Sequence, residues 1–242
     1  MNVFLAGACT REDAFKSIKI DYMLESFYYV LPWQIKRLKE MKMFLLDSGA
    51  FTFMNGTGKA DFNEYLNRYI AFINENNIKY FFELDVDSVV GYDAVIQMRK
   101  KLERETGKQC IPVWHKSRGK DEFLKMCDEY DYVAIGGIVT KEITQQEYPF
   151  FSWFITEAHK RNCKIHGLGF TNTKLLHKYH FDSVDSTAWL SGSRFGHVYW
   201  FDGKTMQSIQ KPPGKKTVHY KTMDEQNISE WIKFQKYAEK KL

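Results

Sequence analysis

A chain of 242 residues has room for one barrel-sized domain and is short for two, and its 44% hydrophobic and 16% aromatic content is enough to bury a large core. A net charge of +5, from 35 basic and 30 acidic side chains, permits a polyanionic partner without requiring one. No run of eighteen apolar residues occurs, which argues against a membrane-spanning helix.

In chain order, the opening segment Met1 to Cys9 lacks the basic start and the long apolar stretch of a secretory leader, so residues 3–7 read as a first strand. A second strand is predicted at 43–48. A helix follows at 61–74, where Phe62, Tyr65, Leu66, Tyr69, Ile70 and Ile73 recur at spacings of three and four. Strands at 80–86, 111–115, 132–136 and 164–169 then alternate with helical patterns at 93–105, 120–130 and 147–161. A short helix at 172–179 precedes strands at 183–186 and 198–201. Residues 210–216 hold Pro-Pro-Gly and several lysines and read as a loop, and 224–242 form a final amphipathic helix with a basic end, packed on the rest. The four cysteines, Cys9, Cys110, Cys127 and Cys163, have no C-x-x-C spacing, which suits a reducing, cytoplasmic setting.

Eight strands alternating with helices predict a single (β/α)8 TIM barrel over residues 1–242. A doubly wound open sheet is the alternative. It would be supported by G-x-G-x-x-G after the first strand, and that motif is not present.

Strand after strand ends in a polar or glycine cluster. These are Asp47-Ser48-Gly49-Ala50-Phe51, Glu83-Leu84-Asp85-Val86-Asp87, Trp114-His115-Lys116, Gly136-Gly137, His166-Gly167-Leu168-Gly169 and Asp182-Ser183-Val184-Asp185. In a barrel such ends converge on one rim, where active sites are built. Taken singly, an aspartate there is more often a cap or turn former, Gly136-Gly137 a tight turn and His115 a structural histidine. Jointly they predict a site in which one carboxylate attacks an anomeric carbon and another handles protons. Phe51 or Trp114 could stack on a flat ligand.

These motifs resemble, in order and from about residue 43 to 203, the queuine/archaeosine tRNA-guanine transglycosylase superfamily. Asp47-Ser48-Gly49-Ala50-Phe51 is similar to the D-S-G-G-F segment that carries the general acid/base aspartate. Asp85 lies where the family recognises the incoming base. Gly136-Gly137 resembles the element whose backbone contacts that base, and Gly167-Leu168-Gly169 the family's G-I-G turn. Phe181-Asp182-Ser183-Val184-Asp185-Ser186 matches V-D-x-F-D-[SC], which puts the nucleophile on Asp185 rather than Asp182.

The departures are specific. The C-terminal zinc element of three cysteines and a histidine is absent, His115 stands in a segment that usually holds a base-binding glutamine, and the basic run after the nucleophile is replaced by residues 188–194. The chain is more similar to the compact phage-type enzymes that place 7-deazaguanines in DNA. The resemblance therefore implies guanine exchange in a nucleic acid, DNA ahead of tRNA. Asp185 would be the nucleophile and Asp47 the acid/base. Ser48, Phe51, Asp85, His115, Gly136, Gly137 and Gly167 would bind the base, with Lys116, Arg118, Arg194 and the lysines of 211–216 on phosphates. It implies no metal or redox cofactor, a cytoplasmic setting (the host's if phage-encoded), and is compatible with a homo-oligomer. Exchange or hydrolysis on a free nucleoside, and a non-catalytic modified-base-binding barrel, are the alternatives.

Overall fold

The computed structural model describes residues 1–8, 11–15, 18–49, 52, 61–210, 212, 214 and 220–242. Eight strands run parallel: β1 Asn2–Ala6, β2 Tyr22–Ser26, β3 Met43–Asp47, β4 Tyr80–Phe81, β5 Val113–Trp114, β6 Tyr132–Ile135, β7 Lys164–Gly167 and β8 Ser183–Ser186. Their order is β4-β3-β2-β1-β8-β7-β6-β5, so the first and last strands in sequence lie side by side. A parallel bridge between Phe82 and Ile111 joins the two remaining edges. There Ile111 donates to the Phe81 carbonyl at 2.8 Å and Glu83 to that of Ile111 at 3.1 Å. The sheet is thus a closed (β/α)8 TIM barrel.

Alternation along the strands divides two apolar layers. Phe4, Ala6, Leu24, Leu45, Phe82, Ile111, Val113 and Ala134 fill the barrel interior. Val3, Leu5, Met23, Leu46, Val133, Ile135, Ile165 and Val184 face the surrounding helices. The helix Phe62–Glu75 starts where Asp61 accepts from the Asn63 and Glu64 amides at 2.9 and 3.0 Å, and it buries Tyr65, Leu66, Tyr69, Ile70 and Ile73 as the spacing predicts.

The structure differs from the predicted elements at four places. Residues 22–26 form a barrel strand where none is predicted. Residues 197–201 lie outside the barrel, as β9 His197–Phe201 paired antiparallel with β10 Met206–Gln210. The turn between them contains Asp202-Gly203, a hairpin signal. The short helix predicted at 172–179 is a 3₁₀ turn at Leu175–His177, and the segment predicted as one helix at 147–161 opens with a 3₁₀ stretch, Gln145–Phe150, before Phe151–Lys160. The last helix, Tyr220–Lys241, covers β1 and the hairpin, with Ile228, Trp231, Phe234 and Ala238 buried. Among the described residues no helix is long and apolar enough to cross a membrane.

Candidate active site

Register places the acidic residues on one rim. Asp47 is the last residue of β3 and pairs with Ser26 of β2, and Asp185 pairs with Phe4, so both carboxylates share the inward face of their strands. Asp185 is 7% exposed. Its Oδ1 accepts from the Gly169 amide at 2.6 Å and faces His166 Nε2 at 3.3 Å. No described residue donates to its Oδ2.

Asp182 lies at the other end of β8. It accepts from the Ile165 amide at 2.8 Å and pairs with His159 at 2.9 Å. Three residues along a strand amount to ~10 Å, so the two aspartates serve opposite mouths of the barrel.

Asp47 is half-buried, and Gly49 donates to its Oδ2 at 3.1 Å. Burial raises its pKa to about 7, with Asp85, Asp185 and Glu25 adding like-charge repulsion and the Gly49 amide opposing them. Gly49 has φ +70°, and a Cβ there would sit 2.4 Å from Ser26 Oγ, so the turn after Asp47 needs glycine. Ser48 is buried, and its carbonyl accepts from Tyr65 OH at 2.6 Å. Phe51 and the lysines at 211, 215 and 216 lie outside the described residues.

His115 sits between two carboxylates. Its Nε2–H donates to Asp85 Oδ2 and its Nδ1–H to Glu142 Oε2, each at 3.1 Å. Burial works to lower its pKa, but the bonds to Asp85 and Glu142 outweigh this and bring it to about 9, so the ring is an imidazolium at neutral pH. Gly136 and Gly137 make room for this pair. A Cβ on Gly136 would lie 2.6 Å from His115 Cε1, and one on Gly137 2.8 Å from Glu142 Oε2. The Gly136-Gly137 turn thus packs directly on the Asp85–His115–Glu142 group.

Other expectations change. Arg118 is no surface contact for phosphate: its side chain is 1% exposed and bonds Glu83 at 2.8 Å and Asp87 at 2.9 Å. Trp114 faces the helix layer against Phe154 at 4.5 Å, away from any ligand on the rim. A Cβ on Gly167 would lie 3.3 Å from Phe170 and 3.4 Å from Phe181, and the amide that reaches the site is that of Gly169. Lys116 is exposed but paired with Glu147 at 2.5 Å, while Arg194 is exposed with no carboxylate in reach among the described residues. Glu142, His166 and Ser183 were not assigned roles from sequence. Strand alternation was the available signal for the last two, since both fall on inward positions beside Asp185.

No protein-family model matches the sequence, and comparison with curated proteins gives no match. Among solved structures, the chain is similar to tryptophan synthase subunit alpha from Campylobacter jejuni, at 13% identity and a TM-score of 0.46, over 78% of this chain and 88% of that one.

Proposed function

We propose that the protein is a base-exchange glycosyltransferase that replaces guanine in a nucleic acid, DNA ahead of tRNA, with a 7-deazaguanine. The observation that carries the reading is the pairing, on one rim, of two carboxylates in unlike surroundings: Asp47 at a pKa of about 7, and Asp185 with one oxygen anchored and one left open. Carboxylates whose environments set them apart divide acid/base from nucleophilic work.

In the first step Asp185 Oδ2 forms a bond to C1′ and the C1′–N9 bond breaks. The electron pair leaves on guanine, which takes a proton from Asp47. In the second, the incoming base gives its N9 proton to Asp47 and N9 bonds C1′. The C1′–Oδ2 bond breaks and its electron pair returns to Asp185. Asp85, held by His115, is an acceptor suited to the N1–H and amino group of guanine. A base inside a polymer must be flipped out to reach the rim, at a cost of ~2–4 kcal/mol.

The loss of Arg118 as a phosphate contact and the pairing of Lys116 with Glu147 favour one second reading, exchange on a free nucleoside. Both readings are tested by supplying radiolabelled guanine with duplex DNA, tRNA or guanosine. Label entering DNA is the expected result. Asp185→Ala abolishes incorporation and the denaturant-stable adduct, and full activity in that variant would sink the assignment.

A further inference from the structure

His166 is fully buried inside the barrel, with ring centroids 5.5 Å from Phe82 and 6.0 Å from Phe4. A polar ring in such surroundings is costly unless both nitrogens are satisfied. Both are. Nε2 faces Asp185 Oδ1, and Nδ1 meets Ser183 Oγ at 2.5 Å. Ser183 Oγ also bonds Tyr132 OH, on the neighbouring inward position of β6. His166 and Ser183 are register partners on β7 and β8, and Asp185 is two residues beyond Ser183 on the same face.

The direction of each bond follows from chemistry. A carboxylate only accepts, so Nε2 carries the hydrogen; the other nitrogen of a neutral ring then accepts from the serine hydroxyl, which accepts in turn from the tyrosine. The string runs from Tyr132 up the barrel axis and ends on the oxygen of Asp185 that does not attack.

We propose that His166 is a positioning residue for Asp185, held as the Nε2–H tautomer by Ser183, and that it assists breakdown of the glycosyl ester more than its formation. The second half rests on the transglycosylase reading above; the tautomer does not. In the ester, Oδ1 is a carbonyl oxygen with little charge. As the incoming N9 displaces the C1′–Oδ2 bond, the electron pair returns to the carboxylate and charge develops again on Oδ1. The Gly169 and His166 N–H groups already point there, in the manner of an oxyanion hole.

His166→Phe keeps an aromatic ring among Phe4 and Phe82 but has neither nitrogen, and His166→Gln returns an N–H donor. Adduct formation and adduct breakdown are timed separately on denaturing gels, using whichever substrate the wild type turns over. Breakdown in His166→Phe is expected to slow by ~10²-fold, as for loss of one oxyanion donor, with formation slowed less, the adduct accumulating, and Gln recovering part of the rate. Equal slowing of both steps, as from a merely loosened core, overturns the proposal, and so does breakdown at the wild-type rate. On the free protein at pH 8, ¹⁵N NMR is expected to give the Nε2–H tautomer for His166, disturbed in Ser183→Ala. An Nδ1–H tautomer overturns the assignment whatever the activity. A wild-type protein that forms no adduct on DNA, tRNA or nucleoside ends the transglycosylase reading and the ester role with it, while the NMR result still decides the tautomer.

Discussion

Burial and the neighbouring charges of Asp85, Asp185 and Glu25 bring the Asp47 carboxyl to about 7, from an ordinary value of 3.8. Its proton is therefore held more tightly in the folded chain than in the unfolded one. Between pH 4 and 7 the native state binds more protons, so this group's contribution to stability falls as pH rises and levels off above 7. Asp47→Asn, which cannot ionise, is expected to match the wild type near pH 4. It is expected to exceed it by ~2 kcal/mol above pH 7, discounting the full shift for the solvent that reaches this rim. Urea unfolding at pH 4.5, 6 and 8 checks this; a difference that is constant across the range would mean that Asp47 keeps an ordinary pKa. The same variant is expected to lose exchange. Stability given up to keep an acid near neutrality is the trade expected of the acid in the proposed exchange.

At the scale of elements, β4 and β5 are the thin side of the barrel. Each has only two residues of regular strand, and the next amide in line, that of Val113, donates to the Glu83 carboxylate rather than to the neighbouring backbone, so the ladder between them is a single bridge. Buried charge fills the gap. Glu83 accepts from Arg99 at 2.6 Å, Arg118 at 2.8 Å and the Val113 amide at 2.8 Å, and Arg118 continues to Asp87 at 2.9 Å and over the Tyr92 ring at 4.3 Å. This group ties the end of β4, which carries Asp85, to the start of the helix after β5. Removing one member strands the others, so Glu83→Ala and Arg118→Ala are each expected to cost ~3–5 kcal/mol in urea unfolding. Arg194→Ala, at an exposed site, is expected to stay within ~0.5 kcal/mol. An Arg118→Ala protein as stable as the wild type would return that residue to the surface role its sequence suggests. Sequence could not separate the two arginines, because Lys116-Ser117-Arg118 after a strand reads as a basic loop and the partner Glu83 is 35 residues away. By contrast, the alternation of apolar strands with amphipathic helices made seven of the eight barrel strands legible. The missed one, Tyr22-Met23-Leu24-Glu25-Ser26, combines good helix formers with a buried Glu25, whose pairing with Gln34 at 2.7 Å appears only in three dimensions. The aromatic, β-branched run at 197–201 took its place because propensity reports a strand without saying which sheet it joins.

Across the whole molecule, the last helix clasps the barrel at the seam between β1 and β2. The β1–β2 ladder begins only at Leu5 and Met23, leaving the carbonyls of Val3 and Tyr22 splayed below it. Gln235 Nε2 spans that gap, donating to Val3 at 2.6 Å and to Tyr22 at 3.0 Å. One turn on, Glu239 takes Tyr22 OH at 2.7 Å and Lys42 Nζ at 2.6 Å, which extends the clasp to the residue before β3. Towards the rim, Asn227 bonds the carbonyls of Trp189 at 3.1 Å and His197 at 3.0 Å, holding the segment that follows Asp185. The helix also buries Trp231 and Phe234, and side chains of that size are each worth ~3–5 kcal/mol when truncated. Together, at ~6–10 kcal/mol, they are comparable with the whole margin of a typical domain. A chain ending before Tyr220 is therefore expected to lose its cooperative thermal transition and near-ultraviolet circular dichroism while keeping part of its helical signal. Gln235→Ala, a milder cut, is expected to lower stability by ~1–3 kcal/mol, the cost of leaving buried carbonyls unpaired. Because β1 also pairs with β8 at Phe4 and Asp185, Gln235→Ala is further expected to speed hydrogen exchange in β1 and β8 ahead of β5 and β6. A truncated chain with an unchanged melting transition would show that the eight strands close without the helix, and that the site at Asp185 does not depend on it.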